Sequence, residues 1–165
     1  MIYNSKSQDT KKGEKMKFYI ATDHAGYAVK EFTKNYVQEL GHEIIDLGPE
    51  NADRVDYPDF AKKCANAVVN DKGSFGILIC GTGIGISIAA NKVAGVRAAL
   101  CHDAFTAEAT RAHNDANILC FGERVVGKGV IESMLDAFCN TEFEGGRHTG
   151  RVEKIEGCSL GADLG

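Results

Sequence analysis

The sequence predicts an α/β fold: a three-layer, Rossmann-like domain with a five-stranded parallel sheet and helices on both faces. Short apolar segments alternate five times with segments of helical periodicity, which is typical of parallel strands buried on both sides. The third apolar segment leads through closely spaced glycines into a helix. The chain has 165 residues, of which 44% are hydrophobic, so it is large enough for one domain with a complete core.

The first two strand–helix units are marked by apolar runs and by their end signals. Residues 17–22 are apolar and rich in β-forming side chains, and the helical pattern that follows runs to Leu40 and stops at Gly41. Residues 43–47 predict the second strand. The segment 56–59, Asp-Tyr-Pro-Asp, resembles a helix start, and an Ala- and Val-rich helix continues from it to Asn70.

Each of the remaining three units is again a short apolar strand followed by a helical pattern. The predicted strands cover 76–80, 96–101 and 118–121, and the helices that follow them cover 84–92, 103–113 and 128–139. In a sheet built this way, ligands bind beyond the carboxyl ends of the strands, where the strand order reverses.

Composition and charge exclude several classes of function. The net charge is −4 and no basic run is present, which argues against nucleic acid as the main partner. No apolar stretch approaches membrane-spanning length and the first residues lack a signal-peptide core, so we expect no membrane association and a cytoplasmic location. We expect the domain to span 16–156, between a disordered or added extension at 1–15 and a flexible tail at 157–165.

Chemistry-bearing residues follow the predicted strands at their carboxyl ends. They are Asp23 and His24 after the first strand, Cys80 to Gly83 after the third, His102 and Asp103 after the fourth, and Gly122 to Arg124 after the fifth. The segment His113-Asn114-Asp115 instead precedes the fifth strand, at the opposite end of the sheet. It can reach the same site if a loop folds back or if a second subunit supplies it.

The turn after the third strand predicts an anion site beside a thiol. Gly81, Gly83 and Gly85 let backbone N–H groups converge on one point, and the start of the next helix adds partial positive charge there. The same dipoles favour a thiolate at Cys80. The other five cysteines are scattered, without a CxxC pair, and are expected to be reduced and buried. This arrangement favours chemistry in which negative charge develops on a substrate oxygen.

Other glycine-loop chemistries fit less well. A Walker loop requires a lysine that is missing here, and the dinucleotide fingerprint GxGxxG is shortened to GxGxG. A cysteine phosphatase loop requires a nearby arginine, where Ile and Ser stand instead. A nucleotide-binding module and a thiol redox sensor stay as alternatives, although no resolving cysteine is visible next to Cys80.

Seven short motifs in a fixed order resemble the ribose-5-phosphate isomerase B family, which also includes the subunits of galactose-6-phosphate isomerase. The resemblance covers residues 16 to 155. The motifs are Asp-His-Ala-Gly (23–26), Asp-Tyr-Pro (56–58), Cys-Gly-Thr-Gly-Ile-Gly (80–85), Ala-Ala-Asn-Lys (89–92), His-Asn-Asp-Ala-Asn (113–117), Gly-Glu-Arg-Val-Val (122–126) and Gly-Gly-Arg-His-x-x-Arg (145–151).

The resemblance implies an aldose–ketose isomerase that acts on ribose 5-phosphate and ribulose 5-phosphate without a metal or organic cofactor. It assigns the C1/C2 proton transfer to Cys80, ring opening to His113, and stabilisation of the enediolate to the turn that contains Thr82. The implied substrate-binding residues are Asp23, His24, Tyr57, Gly81, Gly83, Ile84, Gly85, Asn114 and, for the phosphate, Arg124, Arg147 and Arg151.

The resemblance also implies a homodimer, or a dimer of dimers, with active sites shared between subunits. Such sharing would bring His113 to the glycine turn of a neighbour. Each role has a structural alternative: His113 as a helix cap, Tyr57 as a turn anchor, and Arg147 with Arg151 as an exposed face paired with Glu144 and Glu153. A six-carbon substrate, galactose 6-phosphate or allose 6-phosphate, is the alternative within the same chemistry.

Overall fold

Strands and helices alternate along the chain as the sequence predicts. The computed structural model describes residues 13–159. Its elements are β1 Lys17–Thr22, α1 Tyr27–Glu39, β2 Glu43–Asp46, α2 Tyr57–Asn70, β3 Phe75–Cys80, α3 Ile84–Ala90, β4 Ala98–Leu100, α4 Ala104–Asn114, β5 Ile118–Gly122, α5 Lys128–Asn140, a 3₁₀ helix Gly146–His148, and α6 Thr149–Ser159.

The five strands form one parallel sheet in the order β2-β1-β3-β5-β4. The chain leaves β1 toward one edge for β2 and then returns past β1 to β3. The strand order therefore reverses between β1 and β3, so Cys80, at the end of β3, lies beside this switch point. The predicted sheet is confirmed.

The sheet separates two hydrophobic layers, because successive side chains of each strand point to opposite faces. Phe75, Ile77 and Ile79 of β3 pack with α1, α4 and α5 on one face. Leu78 and Cys80 pack with α2 and α3 on the other. The three-layer arrangement is therefore confirmed. Along residues 13–159 no helix is long and apolar enough to cross a membrane.

Residues 146–159 form helical structure that the sequence does not predict. The 3₁₀ helix and α6 are polar, and Val152 and Glu156 are the buried side chains among residues 149–157. Glu156 forms an ion pair with Arg97, next to β4. The helix is thus held by a tertiary charge pair rather than by an apolar stripe, and an apolar stripe is the pattern that sequence analysis can detect.

Most predicted boundaries lie within two residues of those in the structure, and the fourth strand and the tail differ most. Strand β4 is three residues long rather than six, because at its amino end the N–H of Arg97 bonds to the Asn117 side chain. The first three residues of the predicted tail at 157–165 are the end of α6, and the rest of it lies outside the described residues. The same holds for residues 1–12 of the predicted extension.

A buried arginine holds the end of α4. Arg111 is fully buried, and its Nη1 donates to Asp115 Oδ1 at 2.8 Å and to the Ala116 carbonyl at 2.8 Å. Its guanidinium lies 5.0 Å from the centre of the Phe75 ring. Burial lowers the pKa of Arg111, and the adjacent Asp115 carboxylate opposes that shift. Asp115 also contacts Arg97, so one carboxylate compensates two guanidinium groups.

Replacing the carboxylate of Asp115 by a neutral amide tests this compensation. We expect Asp115→Asn to lower the free energy of unfolding by about 3–5 kcal/mol, because the charge of Arg111 stays buried without its partner. Asparagine tolerates the positive φ of 47° at this position, so backbone strain does not confuse the result. Urea unfolding measures the change, and Asp53→Asn at an exposed position is the control. A loss below about 1 kcal/mol would contradict the expectation.

Candidate active site

Cys80 accepts a backbone hydrogen bond at the end of β3. The N–H of Gly83 donates to Sγ at 3.1 Å, and Cys80 keeps 5% of its surface exposed. Burial raises the pKa of Cys64 to about 12 and that of Cys101 to about 11, so these thiols are protonated at neutral pH. Among the described thiols, that of Cys80 accepts a hydrogen bond from the backbone of the glycine turn.

The turn at 81–85 requires glycine at two positions for different reasons. Gly83 has φ +77°, and a Cβ there would lie 2.7 Å from the Phe121 carbonyl carbon of β5. Gly85 lies under the Tyr57 ring, and a Cβ there would approach that ring to 2.6 Å. The turn thus packs directly on β5 on one side and on a tyrosine on the other.

The start of α3 offers polar groups around the thiol. Gly83 is the N-cap residue and supplies no capping side chain. The hydroxyl of Thr82 is exposed and accepts a hydrogen bond from the N–H of Ile84 at 3.2 Å. One backbone N–H thus contacts Sγ, and the Thr82 hydroxyl lies on the same turn; donors held in this way can stabilise a developing oxyanion.

Side chains that follow the neighbouring strands lie near the Cys80 turn. Asp23 is buried, and its Oδ1 accepts from the N–H of Gly26 at 3.0 Å. His24 Nδ1 lies 3.2 Å from the Val55 carbonyl oxygen. Arg124 donates its N–H to the Gly81 carbonyl at 3.0 Å, and its guanidinium covers Gly81. The structure therefore brings together the predicted residues from β1, α2, β3 and β5, which we name the thiol group. Its members are Asp23, His24, Tyr57, Cys80 to Gly85 and Arg124.

The other predicted residues lie at the opposite end of the sheet. His113 and Asn114 end α4, which begins beside the thiol group and runs back for eleven residues, a length of about 16 Å. Arg147 and Arg151 are exposed on the 3₁₀ helix and α6 that follow. Within one protomer, these four residues do not join the thiol group, and the prediction that they need a second subunit or a folded-back loop stays open.

Two residues that sequence analysis missed lie against His113. The His148 ring stacks on the His113 ring with centroids 4.5 Å apart and an interplanar angle of 16°. Glu144 Oε2 lies 3.4 Å from His148 Nε2 and 3.9 Å from His113 Nε2. The structural alternative for the arginines pairs them with Glu144, whose carboxylate lies against the two histidines in the structure. The signal for His148 was its place in the motif at 145–151, between the two predicted phosphate ligands.

Burial and nearby charges both lower the pKa of the His148 ring. Burial lowers the pKa of His148, the charges on His113 and Arg147 lower it further, and Glu144 opposes them. The ligand atoms of His113, Glu144 and His148 lie within 4.8 Å of one another, which a metal site requires. However, nearly parallel rings do not point both lone pairs at one ion, and Arg147 repels a cation. The geometry therefore does not favour a metal at this cluster.

A cavity of about 680 Å³ lies next to Asn114, at the end of α4. Its lining includes Asn91 and Lys92 from the end of α3, Arg97, Asn114 and Ile155. The carboxyl end of α3 thus comes close to Asn114, while the amino end of α3 carries the thiol group.

Comparison with known proteins identifies the family. Residues 18–155 match the sequence profile of the Ribose/Galactose Isomerase family. The chain belongs to this isomerase family. A ribose-5-phosphate isomerase B from Escherichia coli is 46% identical over 139 residues, which cover 84% of this chain and 93% of that protein. A putative sugar phosphate isomerase from Bacillus subtilis is 51% identical over 141 residues, or 85% of this chain and 95% of that one.

Solved structures of isomerase family members share the fold. The ribose-5-phosphate isomerase B of Clostridium thermocellum superposes with a TM-score of 0.86 at 47% identity, covering 90% of this chain and all of that one. The type B enzyme of Trypanosoma cruzi gives a TM-score of 0.84 at 49% identity, covering 87% and 98%. The predicted family and fold class are confirmed.

The close approach of the turn to β5 can be tested at Gly122. A Cβ there would lie 2.5 to 2.7 Å from three backbone atoms of Thr82, so Gly122→Ala should push the turn away from β5. We expect a loss of stability on the order of 3 kcal/mol and a loss of isomerase activity of about tenfold or more.

Gly129→Ala is the matched control, since a Cβ at that helical position would meet nothing within 4 Å. It should change stability by less than about 1 kcal/mol. Thermal melting and turnover of both variants provide the measurement. Wild-type behaviour of Gly122→Ala would show that the backbone contact does not position the turn.

Proposed function

We propose that this protein interconverts ribose 5-phosphate and ribulose 5-phosphate by proton transfer between C1 and C2. The observation that carries the proposal is the Cys80 thiol in contact with the Gly83 N–H at the switch point of the sheet. The relatives named ribose-5-phosphate isomerase B match nearly the whole domain, which supports the choice of a five-carbon substrate.

In this proposal Cys80 is the acid and base of the isomerisation. As thiolate, it removes the proton from C2 of the open aldose, and as thiol it donates a proton to C1 of the enediolate. The Gly83 N–H stabilises the thiolate. The N–H groups of residues 81–85 and the Thr82 hydroxyl stabilise the charge that develops on the substrate oxygen, and they need no reorganisation to do so because the turn is fixed by its packing.

Ribose 5-phosphate is mainly a closed furanose, so the ring must open before the proton moves. We assign this step to the imidazole of His113, which exchanges protons with the ring oxygen and the anomeric hydroxyl. Asp23, His24, Tyr57 and Asn114 are assigned to the sugar. The phosphate is assigned to three exposed arginines, whose planar donors match phosphate oxygens. They are Arg124, Arg147 and Arg151.

A homodimer is part of the proposal, because one protomer separates Cys80 from His113. Ile84 and Ile88 leave 51% and 57% of their surface exposed on one side of α3. Two α3 helices that pack antiparallel about a twofold axis would cover these side chains. Since the end of α3 lies close to Asn114, the same packing would bring the thiol group of one copy to the His113 of the other. A cytoplasmic location also belongs to the proposal, supported by five free cysteines in the described part of the chain.

The two chemical steps can be separated by following deuterium exchange at C1 of ribulose 5-phosphate. This ketose has no free 5-hydroxyl and stays open, so exchange requires Cys80 but no ring chemistry. We expect Cys80→Ala to lose both exchange and conversion, and His113→Gln to lose conversion about 10²- to 10⁴-fold while exchange persists. NMR in D₂O with a chelator present records both rates.

Wild-type protein assayed beside these variants tests the substrate. Galactose 6-phosphate and allose 6-phosphate serve as comparison substrates under the same conditions. Turnover of a six-carbon sugar alone would replace the proposed substrate, and normal conversion by Cys80→Ala would rule out the proposed mechanism.

Mixed dimers test whether the site is shared. When Cys80→Ala and His113→Gln protomers are dissociated and reassociated at random, half of the dimers are mixed and each has one intact site. We therefore expect about a quarter of wild-type activity to return, although each variant alone is inactive. Native mass spectrometry confirms that subunits have exchanged. Exchange without recovery of activity would mean that both residues act within one protomer.

A further inference from the structure

The inference concerns the orientation of His113 and rests on its proposed role in ring opening. His113 is the penultimate residue of α4, and 44% of its side chain is exposed. An imidazole so exposed at a helix end has several rotamers available. Proton transfer to a defined ring oxygen requires one orientation, and misplacement by about 1 Å is enough to lower a rate 10²-fold. Something in the structure must therefore restrict this ring.

The His148 ring supplies a flat surface for that purpose. His148 is 5% exposed, and it stacks on His113 at 4.5 Å with nearly parallel planes. Its backbone is fixed as the last residue of the 3₁₀ helix, where its N–H donates to the Gly145 carbonyl. A buried ring on a fixed backbone restricts the side chain that packs on it.

A backbone hydrogen bond joins this surface to α4. The N–H of Glu144 donates to the carbonyl of Ala112 at 3.0 Å, immediately before His113 in the chain. The segment that carries Glu144 and His148 is thereby attached to the helix end that carries His113. The Glu144 carboxylate reaches the Nε2 edge of both rings, at 3.4 and 3.9 Å.

The surroundings of His148 disfavour a positive charge on its ring. Its pKa is lowered by burial and by the neighbouring positive charges. Two stacked imidazolium rings would repel each other, and a lowered pKa of His148 reduces that repulsion.

We propose that His148 is a positioning residue for His113: its buried ring, with Glu144 at the Nε2 edge of both imidazoles, holds the His113 ring in the orientation that ring opening requires. His148 takes no proton from the substrate in this scheme. The flat ring rather than its nitrogen atoms is the main requirement, so another aromatic side chain should replace it in part.

The test compares His148→Ala with His148→Phe in the full-length protein. For His148→Ala we expect conversion of ribose 5-phosphate to fall about tenfold or more through kcat, with KM within about twofold, because the sugar contacts remain. Deuterium exchange at C1 of ribulose 5-phosphate should stay within about twofold of wild type, since it needs no ring opening. His148→Phe should recover most of the conversion.

Glu144→Gln tests the second contact, with Glu153→Gln as the control at an exposed carboxylate on α6. We expect a smaller loss of conversion for Glu144→Gln and none for Glu153→Gln. A general structural role of His148 would instead lower conversion and exchange together. That result, unchanged conversion in His148→Ala, or a folded His148→Phe as slow as His148→Ala would each overturn the proposal.

A measurement independent of activity separates this inference from the proposed function. The ring protons of His113, assigned by their loss in His113→Gln, should be shifted upfield by the stacked ring in wild type and in His148→Phe. The shift should vanish in His148→Ala. If wild-type protein does not convert ribose 5-phosphate, the proposed function fails, and this resonance still decides whether His148 orients His113.

Discussion

The backbone contact between the glycine turn and the end of β5 is the constraint on which the site depends. Gly83 approaches Phe121 and Gly122 approaches Thr82 so closely that neither position has room for a Cβ. Two strand ends are thus locked together without intervening side chains. This contact sets the height at which the Gly83 N–H meets Cys80 Sγ and the direction in which α3 leaves the sheet. Rigid backbone, rather than a network of side chains, defines the surface that we propose to bind the oxyanion.

A second constraint acts at the other end of α4. The buried pair of Arg111 and Asp115 closes the helix and turns the chain into β5 through a residue with positive φ. Arg97 extends this charge network to Glu156 of α6. The helix end that presents His113 is therefore tied both to the core and to the polar terminal helix. Buried charges are costly on their own, and here each one is compensated by a partner.

Much of this architecture could be predicted from the sequence, because its signals are local. The alternation of apolar strands and helices gave the sheet, and the spacing of Gly81, Gly83 and Gly85 after Cys80 gave the thiol turn. The separation of His113 from Cys80 could also be predicted from the sequence. In a parallel sheet, the loops that follow strands lie at one edge and the loops that precede strands lie at the other. These inferences rely on periodicity and on chain direction, both of which a single sequence contains.

The missed features depend on contacts between distant segments. Helix α6 has no apolar stripe, and its ion pair with Arg97 joins residues 59 positions apart. The stacking of His148 on His113 likewise joins two polar segments that no periodicity connects. The length of β4 was overestimated because Asn117 caps it with a side-chain hydrogen bond. In each case the local structure depends on a polar contact between residues far apart in the sequence. The spacing of residues along the chain does not predict such contacts.

If the site is shared between subunits as proposed, the placement of Cys80 and His113 at opposite ends of one sheet would make activity depend on protein concentration. An isolated protomer would carry the Cys80 part of one site and the His113 part of another. It would therefore be folded but inactive. Below the dissociation constant of the dimer, the amount of working enzyme would rise with the square of the protomer concentration, and above it linearly. The contact that α3 makes through Ile84 and Ile88 would then determine the activity in a cell as much as the Cys80 thiol does.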